Sequence, residues 1–354
     1  MTKPTAQLPS LLYPGLRWTT PLLLAAAVSV AGCGGNDTEP DPVCSNVSIN
    51  VDPGKIFGEW CQAVGQSKTK VLQVLVHGGS YDHTYWNFPG FDKRYSYSAY
   101  MNRAGYATLA IDQLGVGKSS HPASTEVSYT ASTKAVSQVV VAVKGGVLGQ
   151  SYSKVVLVGH SIGSLLSLGA QGLYGSADGI LLSGFTHTLG MGLFERLGAK
   201  VVPALQDPIV MAKNAIPAGD TGYVSIIGGR SVFYDAGDAD PAVVTADENS
   251  RSEQSGSLNA FEALAVNVSG IKTPVFIANG VLDIAFCAQG KAGATTDCSS
   301  AVTLKTAEQA FFTSATPLET YVLPGAGHNL NLTLQAQSWY GAALSWFQNR
   351  YPVN

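Results

Sequence analysis

Charge is scarce in this chain: only 13% of its 354 residues are charged, and 21 Lys and Arg against 24 Asp and Glu leave a formal net charge of −3. With no cationic excess to neutralise a polyanion, nothing suggests a nucleic-acid partner. Cysteine is sparse too, five in all. No CxxC or HxxxH spacing is present from which a metal site would be built. Internal repeats are absent, and the longest signal-like apolar stretch, 21–31, falls well short of the ~20 residues that a membrane-spanning helix needs. The 45% hydrophobic content, by contrast, is ample for one large core, or a core with a small lid, and excludes disorder over most of the chain.

Lys3 and Arg17 precede the apolar stretch, and small residues close it, as in an export signal. The following Val30-Ala31-Gly32-Cys33 resembles the lipobox of bacterial lipoproteins, in which the cysteine thiol is diacylated and becomes the new N-terminus. The expectation is a signal segment over 1–32 and a lipidated Cys33 with a flexible linker over 33–46. The protein would be exported and held to a bacterial membrane through this anchor, facing the periplasm or the cell surface; the alternative is an ordinary secretory signal and a soluble secreted protein. Setting Cys33 aside leaves Cys44, Cys61, Cys287 and Cys298, an even number that suits an oxidising compartment. Of the three possible pairings, Cys44–Cys61 and Cys287–Cys298 close short loops and are favoured.

From residue 47 onward, strand patterns alternate with helical ones. Strands are expected at 47–51 and 56–61, joined by the turn Asp52-Pro53-Gly54, and then at 71–76, 106–111, 154–158, 179–183, 275–278 and 318–323. Helices are expected around 95–103, 130–147, 162–173, 303–312 and 333–348. Such alternation implies an α/β fold with a mostly parallel sheet covered on both faces, whose ligands sit at the carboxyl ends of the strands. Residues 186–272 break the pattern, with aromatic and Met residues such as Met191, Phe194, Met211, Tyr223, Phe233 and Tyr234 among Gly- and Pro-rich acidic stretches. An interruption of this length reads as a cap over the site, the plainer alternative being a surface insertion with its own minor core.

Strand 154–158 runs into Gly159-His160-Ser161-Ile162-Gly163 and then directly into a helix. That is the context a G-x-S-x-G nucleophile elbow requires, because the sharp turn leaves no room for side chains at the two glycines. The helix N-terminus also directs free N–H groups at an oxyanion formed beside Ser161. A serine needs a base, and among six histidines His328 lies in Leu323-Pro324-Gly325-Ala326-Gly327-His328, just past the last strand. His160 is expected to point away around the turn, and His77 to serve as a structural hydrogen-bonding residue. Asp283, just past strand 275–278, is the expected carboxylate partner, with Asp297 the weaker candidate and a simple capping role the plain alternative for Asp283.

Together these segments resemble the α/β-hydrolase superfamily, in its esterase, lipase and cofactor-free haloperoxidase-like branch, over residues 47–350. The motifs that carry the resemblance are His77-Gly78-Gly79-Ser80 with Trp86 downstream, Asp112-Gln113-Leu114-Gly115-Val116-Gly117-Lys118-Ser119, the Ser161 elbow, Gly280 to Asp283, and Gly325 to His328. The resemblance implies an α/β-hydrolase fold with a cap insertion near 186–272 and an oxyanion hole built from the N–H of Ile162 and that of Gly79 or Ser80. It implies a structural turn at Asp112, and a serine at the elbow disfavours the haloalkane dehalogenases and epoxide hydrolases, whose nucleophile is an aspartate. The expected activity is acyl transfer from a small-molecule carboxylic ester through Ser161, without metal or organic cofactor. A perhydrolase or C–C bond hydrolase on the same triad, or a non-catalytic surface binding protein, are the rival readings.

One prediction follows for the N-terminus. If Cys33 is diacylated, the mature protein expressed in a bacterial host partitions with membranes, and Cys33→Ser releases it or blocks processing. Two or more acyl chains are needed for stable anchoring. Wild-type protein recovered wholly in the soluble fraction, with an unmodified N-terminus beyond residue 33, would defeat the lipoprotein reading.

Overall fold

The computed structural model describes residues 41–353, apart from 66–68, 191, 214–215 and 288–295. The expected signal segment 1–32, Cys33 and the expected linker as far as residue 40 lie outside the described residues, as does Met191. The first elements are β1 (Cys44–Asn50) and β2 (Lys55–Cys61), antiparallel across the expected turn and with Cys44 directly opposite Cys61. The two are joined by a disulfide. β1 thus takes in the last three residues of the segment expected to be linker.

Next come β3 (Val71–Val76), α1 (Tyr97–Arg103), β4 (Ala107–Ile111), α2 (Tyr129–Lys144), β5 (Lys154–His160), α3 (Ile162–Tyr174) and β6 (Gly179–Ser183). Every residue of β3, β4 and β6 is buried, as in strands covered on both faces. β5 runs two residues past the expected end because His160 still pairs with Ser183 of β6. α1 and α2 begin where hydroxyl side chains cap them: Ser96 accepts from the N–H of Ala99, and Ser128 from that of Ala131.

Between β6 and the next long strand lies the interruption, which contains α4 (Gly192–Leu197), β7 (Val201–Pro203), α5 (Pro208–Lys213), β8 (Tyr223–Ile226), α6 (Pro241–Ser250) and β9 (Gln254–Ser255). β7, β8 and β9 form a separate antiparallel sheet, although no strand was expected here. Strands of three, four and two residues are too short for alternation to show in sequence. The chain then returns with β10 (Val275–Gly280), α7 (Ala301–Gln309), β11 (Leu318–Leu323) and α8 (Ala336–Arg350).

The main sheet has eight strands in the order β1-β2-β4-β3-β5-β6-β10-β11, parallel from β4 to β11 and antiparallel at its β1–β2 end. Right-handed crossovers place α1 on one face, since β3 to β4 steps one way, and α2 and α3 on the other, since β4 to β5 to β6 steps the opposite way. α2 packs on α3, and α8 joins α1 through an aromatic layer in which Tyr97 stacks on Trp339 at 5.9 Å and meets Tyr340 at 5.5 Å. Among the described residues no helix is long and apolar enough to cross a membrane.

β1 is the edge strand and mostly exposed, so its attachment rests on one ladder and one crosslink. The double variant Cys44→Ser/Cys61→Ser is expected to lose roughly 2–4 kcal/mol of stability, as for loops of this size. The check is the urea unfolding midpoint, and an unchanged midpoint would show that the crosslink adds nothing to the ladder.

Candidate active site

The parallel strands end along one edge, and four of the loops beyond them converge. Ser161 lies between β5 and α3 with φ 52° and ψ −120°, a left-handed conformation that costs a non-glycine residue energy. The surroundings hold it there. The Ser161 N–H donates to Ser183 O at 2.8 Å, and α3 turns back so closely that a side chain on Gly163 would overlap the carbonyl oxygens of Val76 and His77.

His328 arrives from the loop after β11 and Asp283 from the loop after β10. These loops touch backbone to backbone, because a side chain on Gly280 would collide with the carbonyls of Ala326 and Gly327, and Leu282 N–H donates to Ala326 O at 2.9 Å. Ser161 Oγ and His328 Nε2 are 2.8 Å apart, and His328 Nδ1 and Asp283 Oδ2 are 2.9 Å apart. The tautomer that suits both contacts carries its proton on Nδ1, donated to Asp283, and leaves Nε2 to accept from the serine hydroxyl. Asp283 is fully buried and also accepts from the Ala285 N–H at 2.8 Å, so it caps its turn and orients the histidine at once. Asp297 is exposed and accepts instead from the Ser299 N–H. The Cys287–Cys298 disulfide sits beside the acid, since the Cys287 N–H donates to Asp283 O at 2.9 Å.

His160 does not simply turn away. Its buried ring stacks on Tyr85 at 4.8 Å and lies 5.0 Å from the His328 ring. Burial, reinforced by the neighbouring His328, holds its pKa well below the usual histidine value. His160 therefore stays neutral beneath His328 and does not repel a proton gained there. His77 is buried and accepts at Nε2 from the Gln113 N–H at 3.2 Å, in the structural role expected of it. Asp112 takes the N–H groups of His83 and Lys118 at 2.7 and 2.8 Å, tying the turn after β4 to the loop after β3.

That last loop carries Gly79 and Ser80. Among the described residues no acceptor takes the backbone N–H of Gly79, Ser80 or Ile162, and all three residues line the same cavity as Ser161. Ser80 has φ 59°, and a residue absent from the sequence expectations holds it. Arg230, only 1% exposed, donates from Nη1 to Ser80 Oγ at 2.9 Å and from Nη2 to Ser80 O, and its guanidinium lies 3.8 Å from the Tyr81 ring centre. Arg230 Nε pairs with Asp247 at 3.2 Å. Tyr81 and Tyr234 hydroxyls both donate to Asp247 Oδ2, at 3.1 and 2.8 Å, and Asn329, next to His328, donates to both tyrosine oxygens. One buried network thus joins the interruption to the Ser80 loop and the His328 loop. The only signal in sequence was a lone arginine between Ile226-Ile227-Gly228-Gly229 and Ser231-Val232-Phe233.

The cavity measures about 340 Å³, toward the small end for small-molecule sites. Leu165 and Ile162 line it from α3, Leu193, Leu197, Val201, Val224, Ile226 and Phe233 from the interruption, and Phe286 from the acid loop. No charged side chain lines it among the described residues. Phe233 and Phe286 also flank the His328 ring, at 5.8 and 5.9 Å.

Residues 73–338 match the model of the alpha/beta hydrolase family, and the chain belongs to that family. Its fold is similar to that of a monoglyceride lipase from Saccharomyces cerevisiae, with a TM-score of 0.60 at 14% identity over 88% of this chain and 97% of that one. A carboxylesterase from Bacillus subtilis gives 0.56 at 13% identity, over 87% and 92%. An epoxide hydrolase from Vigna radiata gives 0.52 at 12%, over 87% and 98%. At such identities the likeness establishes the fold alone, and the chemistry must be argued from the site. No curated protein sequence matches the chain.

Burial pushes the Asp247 carboxyl above its usual pKa even with Arg230 beside it. Arg230→Met leaves that carboxylate uncompensated, and such losses typically cost about 3–5 kcal/mol. The defect, read as a urea midpoint, should shrink as the pH is lowered, because protonation removes the buried charge that the arginine had offset. A midpoint equal to wild type at neutral pH would show that the pair does not hold the two parts together.

Proposed function

We propose that this protein is a serine hydrolase that cleaves carboxylic esters with a neutral acyl group of small to medium size, through an acyl-enzyme on Ser161. The observation that carries this reading is the hydrogen-bonded line Ser161, His328, Asp283 opening into an apolar cavity beside uncommitted backbone N–H groups.

Ser161 Oγ attacks the ester carbonyl carbon as His328 Nε2 takes its proton, and Asp283 keeps the imidazole oriented and stabilises its positive charge. The negative charge on the carbonyl oxygen is met by the N–H of Ile162 and one from the Gly79–Ser80 segment, groups of a kind worth about 2.7–4 kcal/mol each in the transition state. The C–O bond to the alcohol then breaks, and His328 returns the proton to the leaving oxygen. Water, deprotonated by His328, attacks the acyl carbon and releases the acid and Ser161. No step requires a metal or organic cofactor. The two disulfides are consistent with an exported protein, and a lipid anchor at Cys33 remains part of the proposal.

Ser161→Ala and His328→Ala are each expected to lower kcat on p-nitrophenyl esters on the order of 10³-fold or more, with Asp283→Asn also severe. Acyl chains ending in a carboxylate should be turned over more than ~10-fold less well than neutral chains of equal length, since the cavity offers that charge no partner. Near wild-type turnover by Ser161→Ala would overturn the reading.

A further inference from the structure

Among the described residues, three polar side chains line the cavity, those of Ser80, Ser161 and Gln254. The first two are committed: Ser80 Oγ donates to Gly79 O at 2.6 Å and accepts from Arg230, and Ser161 faces His328. Gln254 is not. Its side-chain amide has no hydrogen-bond partner among the described residues, yet its end rests against the oxyanion loop. A Cβ built on Gly79 would lie 2.5 Å from Gln254 Oε1 and 2.7 Å from Ile162 Cδ1. An uncommitted amide in an otherwise apolar wall forgoes hydrogen bonds until something supplies them.

The backbone beneath it is held on both sides. Gln254 pairs with Val224 in β8. Ser252 N–H donates to Ser80 O at 2.9 Å, the buried Glu253 accepts from the Gly117 N–H at 2.8 Å, and Ser255 Oγ donates to Ser124 O at 2.8 Å. The segment is stitched to the loops around the site, so the backbone that carries the amide has little freedom left to lose on binding.

We propose, building on the serine-hydrolase reading above, that Gln254 determines specificity by hydrogen-bonding a neutral polar substituent on the first or second carbon from the scissile carbonyl. The preferred substrates are then esters of hydroxy- or oxo-substituted acids rather than plain alkanoates. An amide suits both kinds because it donates and accepts. Gly79, on which it rests, belongs to the loop that faces the oxyanion, and this places the contact close to the carbonyl. The cavity beyond takes the remaining apolar chain.

The test compares p-nitrophenyl 3-hydroxybutyrate with p-nitrophenyl butyrate, in wild type and in Gln254→Met, which keeps length and removes the amide. Wild type is expected to favour the hydroxy ester about tenfold in kcat/KM, as for one neutral hydrogen bond. Gln254→Met should bring that ratio close to one. Labelling of Ser161 by a fluorophosphonate reports separately on the nucleophile and on folding of the variant. A labelled wild type with no preference for the hydroxy ester overturns the role of Gln254 and leaves the serine-hydrolase reading standing. So does a variant that loses the same factor on both esters, because the amide would then act on the oxyanion and not on the substituent. A wild type that neither labels nor turns over either ester overturns the serine-hydrolase reading, and this proposal with it.

Discussion

The backbone of Ser161 occupies a region of φ and ψ that a serine avoids, at a cost of about 1–3 kcal/mol. It is held there because both flanking elements are fixed independently. β5 is buried between β3 and β6, and α3 is buried along Gly163 to Gln171. Relaxing the turn would lift one of these from the core. The strain is what raises the hydroxyl clear of the sheet edge, and the glycine at 163 is what lets the helix start so near β3. The positions of His328, the Gly79–Ser80 loop and the cavity are all measured from this one turn.

Around that turn the chain uses two kinds of contact for two purposes. The wall of the cavity is mostly apolar and non-directional. The seam between the interruption and the main sheet is polar and directional. Arg230 reaches Ser80, and Glu253 reaches Gly117 and His121 at 2.8 Å each, while inside the interruption Arg251 binds Asp207 through two hydrogen bonds of 2.6 and 2.8 Å. Buried ion pairs often add little net stability because desolvation offsets their attraction. Here the contacts hold Phe233 5.8 Å from His328 and Gln254 against Gly79.

The neutrality of His160 belongs to the same logic. A second charged imidazole 5.0 Å from His328 would repel positive charge on that ring. Burial against Tyr85 keeps it uncharged, so the ring that faces Asp283 has a neutral neighbour.

Much of the fold was legible in sequence because its signals are local. β3, β6 and β11 coincide with the expected spans, and Ser161, Asp283 and His328 each stand just past an expected strand. Strand pattern, turn residues and the order of the three groups lie within short windows, so sequence by itself determined the parallel sheet, the elbow and the candidate triad. Tertiary structure decided the rest: that Asp283 and not Asp297 meets the imidazole, that His160 lies under His328, and that Arg230 grips Ser80 across 150 positions of chain. Gln254 belongs with these, since a glutamine in a two-residue strand carries no pattern. Contacts between segments without periodicity leave no trace in either segment, because each side chain's role is set by the surface that folding brings to it.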